Sequence, residues 1–280
     1  MTPATELHPE IIDAVRRALA EDIGTGDVTS QACIPADRRA AGYVLARESM
    51  VLAGTGLLPL IYAERGGVET LTILHGDGSH VQEGDRVAEV TGSARTLLEC
   101  ERTVLNFLQR LSGIATLAWQ FSSLVEGTNC KVLDTRKTTP GLRRLEKAAA
   151  RAGGVTNHRM GLFDAVLIKN NHISAAGGVR AALQNAAASG LPVEIEVRTF
   201  DEMEEALACG AKHLLLDNLS PQQAEEWVRH IAGRATVELS GGIDLDSVRG
   251  YAETGADYVS AGAITHSAQA RDLSFRLELL

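Results

Sequence analysis

A strongly cationic segment lies in the middle of an acidic chain. Residues 131–172 contain nine lysines and arginines against three aspartates and glutamates, a local charge of +6, whereas the formal net charge of all 280 residues is -9. Arginine forks bind carboxylates through two parallel hydrogen bonds, and lysine binds phosphate as a point charge. The segment therefore predicts a site that focuses positive potential on a small polyanion. The side chains best placed for this role are Arg136, Lys137, His158, Arg159 and Lys169.

Two kinds of anion chemistry are available to these residues. Arg136 and Arg159, with the imidazole of His158, would hold a planar dicarboxylate, unless they are merely solvated charges. Lys169 ends the apolar run AVLIK. As an ammonium it would clamp a phosphate or carboxylate, and as a neutral amine it would form a Schiff base. A surface lysine in a loop is the alternative, but the shared segment favours function.

Two acidic residues, Glu196 and Asp217, end later apolar runs. Carboxylates there can hydrogen-bond sugar hydroxyls, help to hold Mg²⁺ through water, or stabilise a cationic transition state. Capping of the helices that follow is the alternative. Glu194 and Glu238 lie inside such runs and are weaker candidates, although a buried carboxylate at these positions requires a partner.

Small residues follow the last two apolar runs. Glycine and serine let backbone N–H groups approach an anion closely, and the loops after the final strands of a barrel are its usual phosphate site. One such string is weak evidence, but two strings 20 residues apart favour phosphate binding. They are Ser240, Gly241 and Gly242, and Ser260, Ala261 and Gly262.

The elements that must position these residues alternate along the chain. Short apolar runs recur after residue 130, and stretches of helical character separate the later ones, which predicts βα units and a parallel sheet. Because a functional side chain follows almost every run, a barrel fits better than an open sheet. Only six strands are clear, so the barrel is expected to be incomplete. The runs are KVLDTRK, AVLIKNN, VEIEVR, HLLLDN, TVELSGG and YVSAGA.

The first 113 residues have a different pattern. An amphipathic helix near 9–19 precedes alternating runs separated by glycine-containing turns, which predicts an antiparallel or mixed sheet. Two consecutive helices are expected over 97–111 and 112–125. We therefore predict two α/β domains, residues 1–113 and 114–270. The last residues, 271–280, are expected to return to the first domain as a strand.

Composition argues against several classes of protein. The acidic balance and the 4% aromatic content are unlike those of a nucleic-acid-binding domain. No segment approaches the roughly 18 apolar residues that a membrane span requires. The N-terminal string MTPATELHPEII lacks a basic region followed by an apolar stretch, so no secretory signal is predicted and a cytoplasmic protein is expected.

Several strings, in this order, resemble those of the quinolinate phosphoribosyltransferase family over nearly the whole chain. The resemblance implies an N-terminal α/β sandwich domain and a C-terminal open α/β barrel, assembled as a homodimer or a hexamer of dimers. It also implies transfer of phosphoribosyl from phosphoribosyl pyrophosphate (PRPP) to quinolinate with decarboxylation, which gives nicotinate mononucleotide in NAD biosynthesis. The strings are EDIGTGDVTS, ERTVLNFLQRLSGIAT, DTRKTTPGLR, NHRMGLFDAVLIKNNHI, EIEV, LLLDN, ELSGGI and SAGAITHS.

The same resemblance implies roles for single residues. Arg102, which by sequence alone is a surface arginine of a helix, would reach into the site of the neighbouring subunit. Asn170 stands where the family commonly has an acid, a departure expected to have little effect on activity. Catalytic roles fall to Lys137, Lys169, Glu196 and Asp217. Quinolinate would contact Arg102, Arg136, His158, Arg159 and Lys169. PRPP would contact Thr135, Lys137, Glu196, Asp217, Ser240, Gly241, Gly242, Ser260, Ala261 and Gly262, with Mg²⁺ held through water by Glu196 and Asp217.

Three other functions remain open at this point. A related phosphoribosyltransferase of the same fold would use a different acceptor, although the set of arginines suits two carboxylates. A Schiff-base aldolase would use Lys169 as its nucleophile. A sensor of sugar phosphates would bind PRPP without turnover, which the paired acids Glu196 and Asp217 disfavour.

Overall fold

The computed structural model describes residues 8–280, and for Leu279 the backbone alone. Residues 1–7, which belong to the stretch used to predict the absence of a secretory signal, lie outside the described residues. The chain forms two compact units. The first contains the residues up to Trp119 together with Thr138–Gly154 and Ala268–Leu280, and the second contains Gln120–Lys137 and Val155–Ser267.

The first unit is built on an antiparallel sheet. Its strands lie in the order β12-β1-β5-β3, and a separate pair is formed by β2 and β4. Residues of β1 alternate between buried and partly exposed positions, so one face of the sheet packs into the core. The strands are β1 (Arg39–Ala46), β2 (Met50–Val51), β3 (Thr70–Ile73), β4 (His80–Val81), β5 (Arg86–Ser93) and β12 (Leu273–Leu279).

One helix of this region differs from the prediction made from the sequence. Two consecutive helices were expected, but α4 is continuous over Ala94–Leu124. Ser112 does not break it, because its hydroxyl is buried and accepts the Ala53 backbone N–H at 3.1 Å. The lack of a side chain at Gly113 instead allows the backbone at Gln269 to pack closely. The other helices are α1 (Pro9–Ile23), α2 (Val28–Cys33), a short 3-10 helix (Thr55–Leu57), α3 (Leu58–Ala63) and α5 (Arg143–Ala152).

The second unit is the predicted open α/β barrel. Six parallel strands lie in the order β6-β11-β10-β9-β8-β7, so the last strand pairs with the first. Within the described residues, β6 and β7 are the two edges, and a single bridge joins Leu133 to Thr156 beside the opening. The strands are β6 (Lys131–Leu133), β7 (Val166–Ile168), β8 (Val193–Val197), β9 (His213–Asp217), β10 (Thr236–Ser240) and β11 (Tyr258–Ser260).

Local capping sequences set where the barrel helices begin. At α9, the Ser220 hydroxyl accepts the Gln223 N–H and Pro221 occupies the first turn, where proline is favoured. At α8, the Thr199 hydroxyl accepts the Glu202 N–H, and Asp201 lies in the first turn. The barrel helices are α6 (Asn170–Ala176), α7 (Val179–Ala187), α8 (Phe200–Ala208), α9 (Pro221–Ile231), α10 (Val248–Ala252) and α11 (Ala263–His266).

Among residues 8–280, no helix combines the length and the apolar character needed to cross a membrane.

Candidate active site

The carboxyl ends of the barrel strands surround a cavity of about 810 Å³. A volume of this size accommodates small-molecule ligands. In a barrel of parallel strands, side chains from the ends of different strands converge on one mouth. Thirteen of the fifteen residues predicted for the site line this cavity: Thr135, Arg136, Lys137, His158, Arg159, Lys169, Glu196, Asp217, Ser240, Gly241, Gly242, Ser260 and Gly262.

Two predicted residues are not among the described residues that line the cavity. Arg102 is exposed on α4, in the other unit. Ala261 is buried, and its N–H donates to the Leu133 carbonyl at 3.1 Å, which ties the end of β11 to β6. The structure of one chain therefore gives Ala261 a place in the barrel wall and leaves Arg102 outside the cavity.

Two arginines form a cationic side of the cavity. Burial and the charge of Arg136 both lower the pKa of Arg159. The Arg159 guanidinium also donates to the Ala165 carbonyl at 3.1 Å, which fixes its position next to β7. Because both guanidinium groups are positively charged, an anion placed between them would be stabilised by both.

His158 lies between this cationic side and the barrel interior. Its Nε2 is 3.2 Å from a carboxylate oxygen of Glu194 and 3.4 Å from one of Glu238. Burial alone would lower the pKa of His158, but the two carboxylates outweigh burial and raise this pKa to about 9. On the opposite side of the ring, Nδ1 accepts the Arg159 backbone N–H at 2.7 Å.

The ends of β7, β8 and β9 form an acidic side. Glu196 is 7% exposed, and one of its oxygens is 3.0 Å from the Lys169 ammonium. Burial, and then the charge of Glu196, raise the pKa of Asp217, while Lys169 and Lys137 act to lower it. These four charged groups therefore act on one another across a short distance.

The backbone of Lys137 is held by hydrogen bonds to two hydroxyl groups. Its N–H donates to the Thr135 hydroxyl at 3.1 Å, and its carbonyl accepts the buried Thr265 hydroxyl at 2.8 Å. The absence of a side chain at Gly262 leaves room for it, since a methyl group there would lie 2.8 Å from the Lys137 Cδ. The loop after β11 thus positions the aliphatic part of the Lys137 side chain, which ends in the ammonium group.

The loop after β10 requires glycine. Gly241 has a φ of 108°, which favours glycine, and a methyl group there would lie 2.8 Å from the Asn218 backbone nitrogen. We expect Gly241→Ala to destabilise the protein by about 2 kcal/mol, because strain at such a position costs about 1–3 kcal/mol. This corresponds to a fall of about 5 °C in Tm, measurable by calorimetry.

Gly250→Ala is the matched control for this prediction. Gly250 lies in α10, and the nearest atom to an added methyl group is 3.9 Å away. Because alanine stabilises a helix relative to glycine, the Tm of this variant should be unchanged or higher. Equal Tm values for the two variants would contradict the strain assigned to Gly241.

Comparison with known proteins shows which family this chain belongs to. The chain matches the family models "Quinolinate phosphoribosyl transferase, N-terminal domain" over residues 27–112 and "Quinolinate phosphoribosyl transferase, C-terminal domain" over residues 114–276. This chain belongs to the quinolinate phosphoribosyl transferase family. Together the two models span β1 to β5 of the first unit and every strand of the barrel, and the second model ends within β12.

Two bacterial relatives and a solved structure match the chain over nearly all of their length. The nicotinate-nucleotide pyrophosphorylase (carboxylating) of Mycobacterium leprae is 42% identical over 273 residues, which are 95% of this chain and 96% of the relative. The probable enzyme of the same name from Bacillus subtilis is 38% identical over 281 residues, 97% of this chain and 95% of the relative. The crystal structure of NadC from Streptococcus pyogenes has 40% identity and a TM-score of 0.93, and 99% of each chain is covered.

The site of this family member is not uniformly cationic. Among the described residues, the cavity lining has four lysines and arginines but five aspartates and glutamates. Four other cations of the segment 131–172 lie on α5, which belongs to the first unit. Zones of opposite charge, rather than an excess of positive charge, therefore characterise the cavity.

The cavity also has polar lining residues that were not predicted for it. Asp134 and His266 lie within strings that carry the family resemblance, but no role was predicted for either. Asn218 follows Asp217 directly and donates to its carboxylate at 2.7 Å. Glu238 had been ranked as a weaker candidate. The residues missed are Asp134, Asn218, Asp244 and His266.

Proposed function

We propose that this chain transfers the phosphoribosyl group of PRPP to the ring nitrogen of quinolinate with loss of CO₂, as a decarboxylating quinolinate phosphoribosyltransferase of NAD biosynthesis. The observation that carries the proposal is the convergence, in one cavity, of a pair of arginines and a pair of carboxylates. The names of the Mycobacterium leprae and Bacillus subtilis relatives support it.

The cationic side of the cavity suits the acceptor. Quinolinate has two carboxylates on adjacent ring carbons, and a guanidinium fork binds a carboxylate through two parallel hydrogen bonds. Burial, and then the charge of Arg136, lower the pKa of Arg159, so the two guanidinium groups repel each other. A dianion between them would offset this repulsion, whereas a neutral ring would not.

The acidic side and the glycine loops suit the donor. Gly241 and Gly242 both have positive φ values, which allows the backbone to approach a phosphate closely. The carboxylates of Glu196 and Asp217 are hard oxygen donors, and their mutual repulsion fits a site for Mg²⁺ held directly or through water. When bound, Mg²⁺ would neutralise charge on the pyrophosphate leaving group.

The proposed reaction has two steps. First, the bond between ribose C1 and pyrophosphate breaks as the pyridine nitrogen forms a bond to C1, and pyrophosphate leaves. Glu196 and Asp217 would stabilise the positive charge that develops on the ribose. Second, the bond between ring C2 and its carboxylate breaks, CO₂ leaves, and the electron pair on C2 takes a proton. The adjacent positive nitrogen stabilises that electron pair.

We further propose that the working form is a homodimer in which Arg102 completes the site of the partner subunit. Arg102 is exposed on α4, so a partner can reach it. Leu162 and Phe163, which follow Arg159 closely in the chain, are 75% and 71% exposed. Large exposed apolar side chains of this kind favour burial in an interface.

The Schiff-base alternative is less well supported. A nucleophilic lysine needs a neutral amine, which burial in an apolar pocket favours. The Lys169 side chain is instead 49% exposed and paired with Glu196 at 3.0 Å. An ammonium in an ion pair is a binding group, so Lys169 suits a phosphate or carboxylate better than a carbonyl.

An assay of the purified protein with quinolinate, PRPP and Mg²⁺ tests the proposal. We expect nicotinate mononucleotide and CO₂ in equal amounts, followed by mass spectrometry. Arg102→Ala should lower kcat/KM for quinolinate about a hundredfold, because removal of one partner from a buried charge pair costs about 2–5 kcal/mol. Pyrophosphate release with another acceptor, but none with quinolinate, would indicate a paralogue instead.

A further inference from the structure

Asn218 has a backbone conformation that is uncommon for a residue with a side chain. In the described part of the chain, two non-glycine residues have a positive φ, Asn218 at 58° and Ala232 at 51°. Ala232 ends α9, and a left-handed residue at the end of a helix is common. Asn218 instead follows the last residue of β9 and lines the cavity. Backbone conformations of this kind concentrate at active sites, where the surrounding contacts hold them.

Backbone hydrogen bonds hold the chain on both sides of Asn218. Its N–H donates to the Ser240 carbonyl of β10 at 2.9 Å, next to the paired residues Asp217 and Ser240. The carbonyl of the following residue, Leu219, accepts the Tyr251 hydroxyl at 2.9 Å. In an extended strand, neighbouring side chains point to opposite faces of the sheet. The left-handed turn instead brings the side chain of Asn218 back to that of Asp217.

The Asn218 amide lies between the acid that ends β9 and the loop that follows β10. Its nitrogen donates to an Asp217 carboxylate oxygen at 2.7 Å. Because a carboxylate accepts hydrogen bonds and does not donate them, the amide oxygen faces the other way. It lies against Gly241, where an added methyl group would come within 2.8 Å of the amide carbon. One side chain therefore contacts both parts of the cavity that are proposed to bind PRPP.

Few residue types meet the requirements of position 218. Asparagine and aspartate tolerate the left-handed region because their short polar side chains form local hydrogen bonds. Aspartate would place a second carboxylate against Asp217, and the two charges would repel each other. Glycine adopts the conformation freely but has no side chain to donate a hydrogen bond. Asparagine combines the backbone tolerance with an N–H donor, so the residue type and the geometry indicate the same role.

We propose that Asn218 is a positioning residue for the donor side of the site: its amide, braced against Gly241, orients the Asp217 carboxylate before PRPP binds. This inference rests on the proposed function, since it assigns Asp217 to PRPP. A carboxylate that is already oriented loses less conformational freedom when a ligand binds, so the contact should strengthen the binding of PRPP. Asn218 acts through Asp217 and is not itself a catalytic residue.

Asn218→Gly tests the inference, because glycine keeps the left-handed backbone and removes only the amide. Calorimetry with PRPP and Mg²⁺, without quinolinate, should give a Kd about tenfold higher than that of wild type, the effect of one lost hydrogen bond. The kcat/KM for PRPP should fall by at least as much, whereas KM for quinolinate should stay within about threefold of wild type. Asn129→Gly, at an exposed position in the loop before β6, is the matched control and should bind PRPP like wild type.

A double-mutant cycle separates the orientation of Asp217 from a general loss of packing. In the Asp217→Ala protein the amide has no carboxylate to orient, so the added change Asn218→Gly should alter Kd for PRPP by less than about twofold. An effect of loop packing alone would instead multiply with the effect of Asp217→Ala. A tenfold rise in both backgrounds would overturn the inference, and so would an unchanged Kd for Asn218→Gly.

Asn218→Asp is a second variant at the same position. It keeps the shape and the backbone tolerance but replaces the N–H donor by a carboxylate, so Kd for PRPP should rise at least as much as in Asn218→Gly. Binding of PRPP by Asn218→Asp with the wild-type Kd would contradict the proposed role. A wild-type protein that binds PRPP, and in which these substitutions weaken binding as expected, but that forms no product from quinolinate, would refute the proposed function alone.

Discussion

The Glu196→Gln protein is expected to lose about a hundredfold to a thousandfold in kcat, because that is the effect of removing one preorganised electrostatic contact to a transition state. Glu196 ends β8 with 7% exposure, so its charge acts in a poorly solvated place. Glutamine has nearly the same shape and still accepts a hydrogen bond from Lys169. The loss would therefore report the negative charge rather than the contact between the side chains.

Steady-state kinetics with both substrates varied measures this effect. KM for quinolinate should stay within about threefold of wild type, since a residue that stabilises only the transition state changes kcat and leaves binding intact. Glu205→Gln, the same change at an exposed position of α8, should have wild-type kinetics. A kcat within tenfold of wild type for Glu196→Gln would remove Glu196 from the stabilisation of the ribose cation.

The barrel was predictable because its strands are covered on both faces. Such strands are continuous apolar runs, and each of the six runs after residue 130 forms one strand of the sheet. The continuous helix α4 was not predictable in the same way. A serine and a glycine in succession resemble a helix break, and only the packing partners of Ser112 and Gly113 show why the helix continues.

The strand ends of the site were predictable, but its charge was not. Polar residues that end parallel strands must meet at one mouth, so Lys169, Glu196 and Asp217 were found from their positions. The charge of a segment does not say which side chains face the cavity. The cations of α5 counted toward the +6 although they belong to the other unit.

The indication of function from sequence was weakest for polar residues inside the strands. Glu238 lies two residues before the end of β10, where an inward carboxylate needs a partner. That partner, His158, comes from a loop 80 positions earlier in the chain, and sequence spacing carries no information about such a contact. The expectation that His158 contacts quinolinate stays a prediction.

The Arg159→Ala protein is expected to lose about a hundredfold to a thousandfold in kcat/KM for quinolinate, since truncating one partner of a buried charge pair costs about 2–5 kcal/mol. The effect should fall on quinolinate alone. Arg159 belongs to the cationic side with Arg136, whereas the glycine loops proposed for the donor follow β10 and β11. KM for PRPP should therefore stay within about threefold of wild type.

Arg159→Lys separates charge from geometry at the same position. Lysine keeps the positive charge but has no planar fork, so kcat/KM for quinolinate should recover only in part, by about tenfold relative to Arg159→Ala. Arg198→Ala is the matched control, because Arg198 follows β8 at the same end of the sheet but is exposed and pairs with Glu202. Full activity of Arg159→Lys would mean that the cavity recognises charge alone, and the two-carboxylate argument for quinolinate would then lose its geometric basis.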